Sequence, residues 1–226
     1  MLGLRAKKED IYRLVYGVFR NSFIAQFQHN TYQKNYYIKN MIDFQQQTCS
    51  SENLVFLGDS LIEYGEWKKR FNNEQIINHG IGGNTTAGVL NRIDETIITQ
   101  PKKIFIMIGV NDLGNETITV DKIIMNYKEI LTLFQEQNPE TEVYIQSVLP
   151  INNRDYNSIV KNQDVINVNE QLNKLAKKFH YKYIDIHRYF IDQENQLNPK
   201  YTNDGVHLNE EGYDLWAEQI YFWLGS

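Results

Sequence analysis

The chain holds one cysteine, Cys49, in 226 residues. A lone thiol excludes an intrachain disulfide and any cysteine-built metal cluster. Only four prolines occur, and neither a Pro/Gly/Ser-rich linker nor an internal repeat marks a seam between domains. A chain of this length suits one sizeable core and would be cramped as two. No apolar run approaches the roughly 20 residues that span a bilayer. Nor is there a basic stripe: Lys7-Lys8, Lys68-Lys69-Arg70 and Lys177-Lys178 are short and separated, and the net charge is −5. That balance argues against nucleic acid as the main partner, because phosphate binding needs clustered cations. The stretch Met1-Leu2-Gly3-Leu4-Arg5-Ala6-Lys7-Lys8 turns charged too early for the apolar region of a secretory signal. The expectation is a cytoplasmic protein without stable membrane insertion.

What is present is ordinary in bulk, with 42% hydrophobic and 23% charged residues, as in soluble globular proteins. The order of the residues says more. From about residue 53, short apolar runs alternate with longer helical patterns. The runs are Leu54–Leu57, Gln75–Asn78, Ile104–Ile108, Val143–Val148 and Tyr181–Ile186. Helical patterns lie at about 61–71, 86–99, 119–137 and 162–179, and from about 210. Ile104-Phe105-Ile106-Met107-Ile108 does not alternate with polar residues, so the strands should be buried on both faces. Buried strands alternating with helices imply an α/β fold, a parallel sheet between helical layers. Right-handed crossovers then favour a doubly wound, flavodoxin-like three-layer α/β/α sandwich of about five strands.

Residues 1–50 differ and read as a helical amino-terminal extension to a domain at 51–226. Ile11, Leu14, Val15, Val18 and Ser22 or Phe23 fall at helical spacing, and a second pattern runs through Tyr37, Ile38, Met41 and Ile42. Packing on the sandwich is the plainest role. A homodimer contact or a lid over the site are the alternatives.

Ligands of such folds bind at the carboxyl ends of the parallel strands, so the residues just after each run matter most. Gly58-Asp59-Ser60-Leu61 follows the first run. Asn78-His79-Gly80-Ile81-Gly82-Gly83-Asn84-Thr85-Thr86 follows the second, and Gly109-Val110-Asn111-Asp112 the third. Asp204-Gly205-Val206-His207 precedes the last helix. Together these place a nucleophile, a glycine loop, a side-chain amide and an acid–base pair at one rim of the sheet.

On these four segments the chain resembles the SGNH, or GDSL-type, hydrolases, and within them the platelet-activating-factor acetylhydrolase-like branch. The resemblance covers about residues 53–222. It implies a serine esterase that needs no cofactor or metal, with Ser60 as nucleophile, His207 as base and Asp204 as its partner. Gly83 and Asn111 would be oxyanion-hole donors beside the Ser60 N–H. The family often has Asp where this chain has Asn84, which removes a charge beside the loop.

The chemistry agrees with that assignment. A serine hydroxyl is a weak nucleophile at neutral pH and needs an imidazole within reach. Asp204, three residues before His207, can fix the ring tautomer, and Asn209-Glu210-Glu211 reads as a helix cap with acids in its first turn. Asp59 either holds the serine turn or caps the next helix. Other readings of the same residues fail on pattern. Gly80–Thr85 breaks G-x-G-x-x-G at its last position and has no P-loop lysine. Asp185 and His187 lack a second cluster for a metal, His79 belongs to the loop or core, and the serine lacks a G-x-S-x-G elbow. The expected substrate is a small acyl ester, acetyl included. Acyl transfer, thioester or lysophospholipid cleavage at the same site, and a non-catalytic binding module, are the rivals.

Overall fold

A computed structural model describes residues 31–46, 50–154, 156 and 158–225. In chain order its elements are α1 (Thr31–Gln46), β1 (Leu54–Gly58), α2 (Ser60–Glu63), α3 (Trp67–Phe71), β2 (Ile76–Gly80), α4 (Thr86–Asn91) and α5 (Ile93–Ile97). Then follow β3 (Lys103–Met107), α6 (Val110–Leu113), α7 (Val120–Gln137), β4 (Glu142–Gln146), α8 (Asn162–Phe179), β5 (Lys182–Ile184) and α9 (Glu210–Gly225). The five strands form one parallel sheet in the order β2-β1-β3-β4-β5. This is the doubly wound order expected from the sequence, with its switch point between β1 and β3.

Successive strand residues feed opposite layers. Val55, Leu57, Ile104, Ile106, Val143 and Ile145 point into a core shared with α4, α5, α7 and α8. Leu54, Phe56, Phe105, Met107 and Tyr144 point into the other, shared with α2, α3 and α9. Burial on both faces is why the runs lack polar alternation. On the second face, Phe56, Phe105 and Tyr144 are register partners across three strands. Their rings stack at centroid distances of 5.0 and 4.7 Å. Trp67 covers Phe56 at 4.6 Å and meets Trp216 of α9 edge-on at 4.9 Å. Trp216 Nε1 donates to Gln146 Oε1 at 2.7 Å, which pins α9 to β4.

The expected helix over 61–71 is two short helices separated by a turn at residues 64–66. The Trp67 indole returns to donate to Ile62 O at 2.7 Å, and Glu66 takes a left-handed φ of 44°. The pattern over 86–99 is likewise split, at Arg92 (φ −121°, ψ 13°). β2 runs to Gly80 and so takes in His79 and Gly80, beyond the expected run Gln75–Asn78.

The helix expected through Ile11–Phe23 lies outside the described residues. The second amino-terminal pattern is α1. Among its described side chains, Tyr37, Met41 and Phe44 are buried and pack with Ile81, while Ile42 faces out. The buried face is thus rotated from the expected one toward Phe44.

Candidate active site

β1, β2 and β3 lie side by side, so the loops after them meet at one rim of the sheet. Asp59 opens the first loop as the N-cap of α2. Its Oδ1 accepts the Leu61 N–H at 3.0 Å, and this cap turns the chain sharply enough to leave Ser60 at the first helical position. Asp59 therefore fills both of its expected roles, since the helix it caps is the serine turn. Its other oxygen is buried with no partner among the described residues. Burial pushes its carboxyl up to about 7, against the pull of the Leu61 N–H.

Ser60 Oγ lies 3.0 Å from His207 Nε2, although 147 positions separate them. His207 Nδ1 lies 2.7 Å from Asp204 Oδ2. Asp204 also shapes its own turn, accepting from the Val206 and His207 N–H groups through Oδ1 at 2.9 and 2.7 Å. Burial raises the Asp204 pKa, but the His207 ring and these two amides outweigh it, and the carboxyl ends below its usual value. It is a carboxylate at neutral pH, so the ring nitrogen facing it carries a proton and Nε2 is left to accept from Ser60. Gly205 makes the turn possible with φ 81°. Asn209 Oδ1 caps α9 through the Gly212 N–H at 3.0 Å. Tyr213 Oη donates to Leu61 O at 3.0 Å, which ties α9 to the serine helix.

The glycine loop is a β-turn closed by Asn84 N–H on Ile81 O at 3.1 Å. Gly83 has φ 72° and open space where a Cβ would stand. A positive φ at the third position is the glycine signature of a type II turn. Asn111 lies within α6 and is not its cap, which is Gly109. Its Nδ2 donates to Asn84 O at 2.9 Å, so the amide reaches the residue directly after Gly83.

Three supports escaped the sequence reading. Arg92 is fully buried and holds the ends of β1 and β2 and the glycine loop together. Its Nε donates to Asn84 Oδ1 at 2.9 Å, and its Nη2 donates to Gly58 O and His79 O at 2.9 and 2.8 Å. Burial lowers its pKa to about 10. Asn84, whose role the missing charge put in doubt, thus joins Arg92 through its side chain and Asn111 through its carbonyl. Asp112 accepts from Thr86 N and Oγ1 at 2.8 and 2.5 Å, locking the α6 loop to the glycine loop. Burial pushes its carboxyl up to about 6. Glu63 Oε2 accepts the Gly82 N–H at 2.8 Å. Of the three, Asp112 had a signal, its place beside Asn111 in the quoted motif. Arg92 and Glu63 look like ordinary polar positions on helical patterns.

His79 and His187 are structural in geometry. His79 is buried in β2, bonded through Nδ1 to Thr96 Oγ1 at 2.8 Å and stacked on Phe44. Burial and then Arg92 hold its pKa down to about 3, so it is neutral. His187 opens a 3₁₀ turn after β5. Among the described residues, no three His, Cys, Asp or Glu side chains cluster as a metal site would require. No described helix is long and apolar enough to cross a membrane.

The likeness to known proteins follows the same residues. The chain is 28% identical over 168 residues to platelet-activating factor acetylhydrolase IB subunit alpha1 of Pongo abelii, covering 71% of this chain and 70% of that protein. It is 26% identical over 174 residues to an N-acylneuraminate cytidylyltransferase of Escherichia coli. That match takes in 76% of this chain but only 40% of the relative. A solved structure described as a platelet activating factor from Streptococcus pneumonia superposes with a TM-score of 0.78 at 26% identity, covering 90% of this chain and 99% of the other. Residues 56–215, from the strand before Ser60 to the helix after His207, match the GDSL-like Lipase/Acylhydrolase family, and the chain belongs to it.

Proposed function

We propose that the chain is a serine esterase that hydrolyses carboxylic esters of small acyl groups through an acyl-serine intermediate. The observation that carries this reading is the continuous hydrogen-bonded line Ser60 Oγ–His207 Nε2–Asp204 Oδ2, at 3.0 and 2.7 Å. As Ser60 Oγ attacks the acyl carbon, His207 Nε2 takes its proton. The tetrahedral oxyanion is met by the N–H groups of Ser60 and Gly83 and by the second N–H of the Asn111 amide, the first being held by Asn84 O. His207 then returns the proton to the leaving alcohol, and the acyl-serine remains. Water, deprotonated by His207, attacks the acyl carbon, and His207 passes that proton to Ser60 Oγ as the acyl–oxygen bond breaks and the acid leaves. Asp204 holds the ring orientation and stabilises the imidazolium in both halves.

Hydrolysis is favoured over transfer because His207 and Asp204 side chains are 39% and 52% exposed, which leaves the base open to water. The preference for short acyl groups is supported by the acetylhydrolase named among the relatives. A cytoplasmic setting belongs to the proposal too, and fractionation of tagged protein tests it.

The decisive experiment is steady-state turnover of p-nitrophenyl esters of graded acyl length. Ser60→Ala and His207→Ala should each lose about 10⁴-fold or more in kcat. Asn111→Ala should lose about 10²–10³-fold. Near-wild-type turnover by Ser60→Ala would refute the mechanism, and rates that rise steadily with acyl length would refute the substrate class.

A further inference from the structure

The segment that matches the family begins at residue 56, yet the glycine loop is held from outside it. α1 docks on the end of β2 by packing Tyr37, Met41 and Phe44 around Ile81, the first residue of the glycine turn. Phe44 also lies over the Arg92 guanidinium, 5.5 Å from ring centroid to Cζ. Elsewhere on α1, the Tyr36 hydroxyl donates to Glu63 Oε1, while Glu63 Oε2 accepts the Gly82 N–H. The Tyr36 and Tyr64 hydroxyls lie 3.4 and 3.7 Å from where a Cβ on Gly82 would be. Burial first, and the Glu63 carboxylate next, push the Tyr36 hydroxyl above its ordinary pKa, so it stays a donor at working pH.

We propose that Tyr36 is a positioning residue for ester hydrolysis, acting through Glu63 to fix the Gly82–Gly83 turn, so that α1 is a working part of the site. The proposal rests on the esterase reading above. Two amides flank the N–H of Gly83 in this turn, and both are anchored: Gly82 N–H by Glu63, and Asn84 N–H by Ile81 O. The peptide between Gly82 and Gly83 has no side chain to resist rotation, and rotating it removes the Gly83 N–H from the oxyanion. A carboxylate with one oxygen on the turn and the other on α1 couples the two. Preorganisation of the donor then depends on Tyr36, whereas ground-state binding does not.

The test uses the full chain. Tyr36→Phe removes only the hydroxyl. It should lower kcat for p-nitrophenyl acetate about 10-fold with KM within about two-fold. The rate of Ser60 labelling by a fluorophosphonate, whose phosphoryl oxygen takes the oxyanion position, should fall in parallel. Glu63→Ala should lose at least as much, and Tyr36→Phe should then cost nothing further in that background. Glu63→Gln should retain most of the activity, because its Oε1 can accept from Gly82 while its amide donates to the Tyr36 oxygen. Wild-type kcat and labelling in Tyr36→Phe would overturn the proposal, as would losses that add in the double variant or a change confined to KM. Ser60→Ala separates the two claims: if it stays active, the esterase reading fails. If it is dead while Tyr36→Phe is unimpaired, only the role of α1 fails.

Discussion

Replacing Asp59 by Asn should make the protein less sensitive to alkaline pH. Asp59 is 1% exposed, and burial shifts its carboxyl from an ordinary 3.8 to about 7. A raised carboxyl pKa means that the folded state resists ionisation more than the unfolded chain does. The penalty is absent below the unfolded pKa, grows as pH rises, and is complete above the folded pKa. From those two values it is about 2 kcal/mol at pH 5 and about 4 kcal/mol at pH 8, taking about 1.4 kcal/mol per pH unit. The substituted side-chain amide cannot ionise, and its oxygen can still accept the Leu61 N–H. The stability advantage of Asp59→Asn over wild type should therefore grow by about 2–3 kcal/mol between pH 5 and pH 8. For a chain of this size, that is a melting-temperature difference widening by about 5–10 °C. Asp112, which also carries a raised pKa, titrates in both proteins and largely cancels in the comparison. Paired thermal melts at the two pH values suffice. A difference between variant and wild type that stays the same at both would show that Asp59 is ionised throughout, and the burial argument would be wrong.

Asn84→Asp should stabilise the protein by about 1–2 kcal/mol in urea titration near pH 7.5, since it gives buried Arg92 a charged acceptor at the 2.9 Å contact with its Nε. Lower stability would mean that desolvating the new carboxylate outweighs the pairing. Gly205→Ala puts a Cβ at φ 81°, 2.2 Å from the Tyr156 ring and 3.0 Å from Asn152 O. It should cost about 1–3 kcal/mol and, by displacing the turn between Asp204 and His207, lower kcat more than about 10-fold. An unchanged kcat would show that the acid–base turn tolerates a shift of its backbone.

Three of the candidate site residues stood out because each stands where an apolar run breaks. Ser60, Gly83 and Asn111 follow β1, β2 and β3, and side chains at such positions have no packing duty to disguise them. The sheet was legible for the converse reason: runs such as Ile104–Met107 have no polar face to confuse with a helix. What could not be read was how the rim is braced. Arg92 occupies one position in a pattern whose hydrophobic spacing runs on past it through Val89, Ile93 and Ile97, so neither the helix break nor the buried cation showed. The break before Trp67 was hidden in the same way, since its cause is an indole folding back on Ile62 O. Glu63 and Tyr36 are 27 positions apart and meet only in space. His79 could be read only as loop or core because strand ends are set by pairing, here Gly58 with Gly80, and local composition does not encode a partner.

The long span between Ser60 and His207, 147 positions, also governs how the enzyme comes into being. β1, β2 and β3 with their crossover helices can assemble from nearby stretches of chain, but His207 reaches Ser60 only when α9 closes a far larger loop. During refolding, helical signal should recover ahead of ester turnover. Catalysis is then a clock for the last long-range docking event, and α9 is the element whose release would silence the enzyme first.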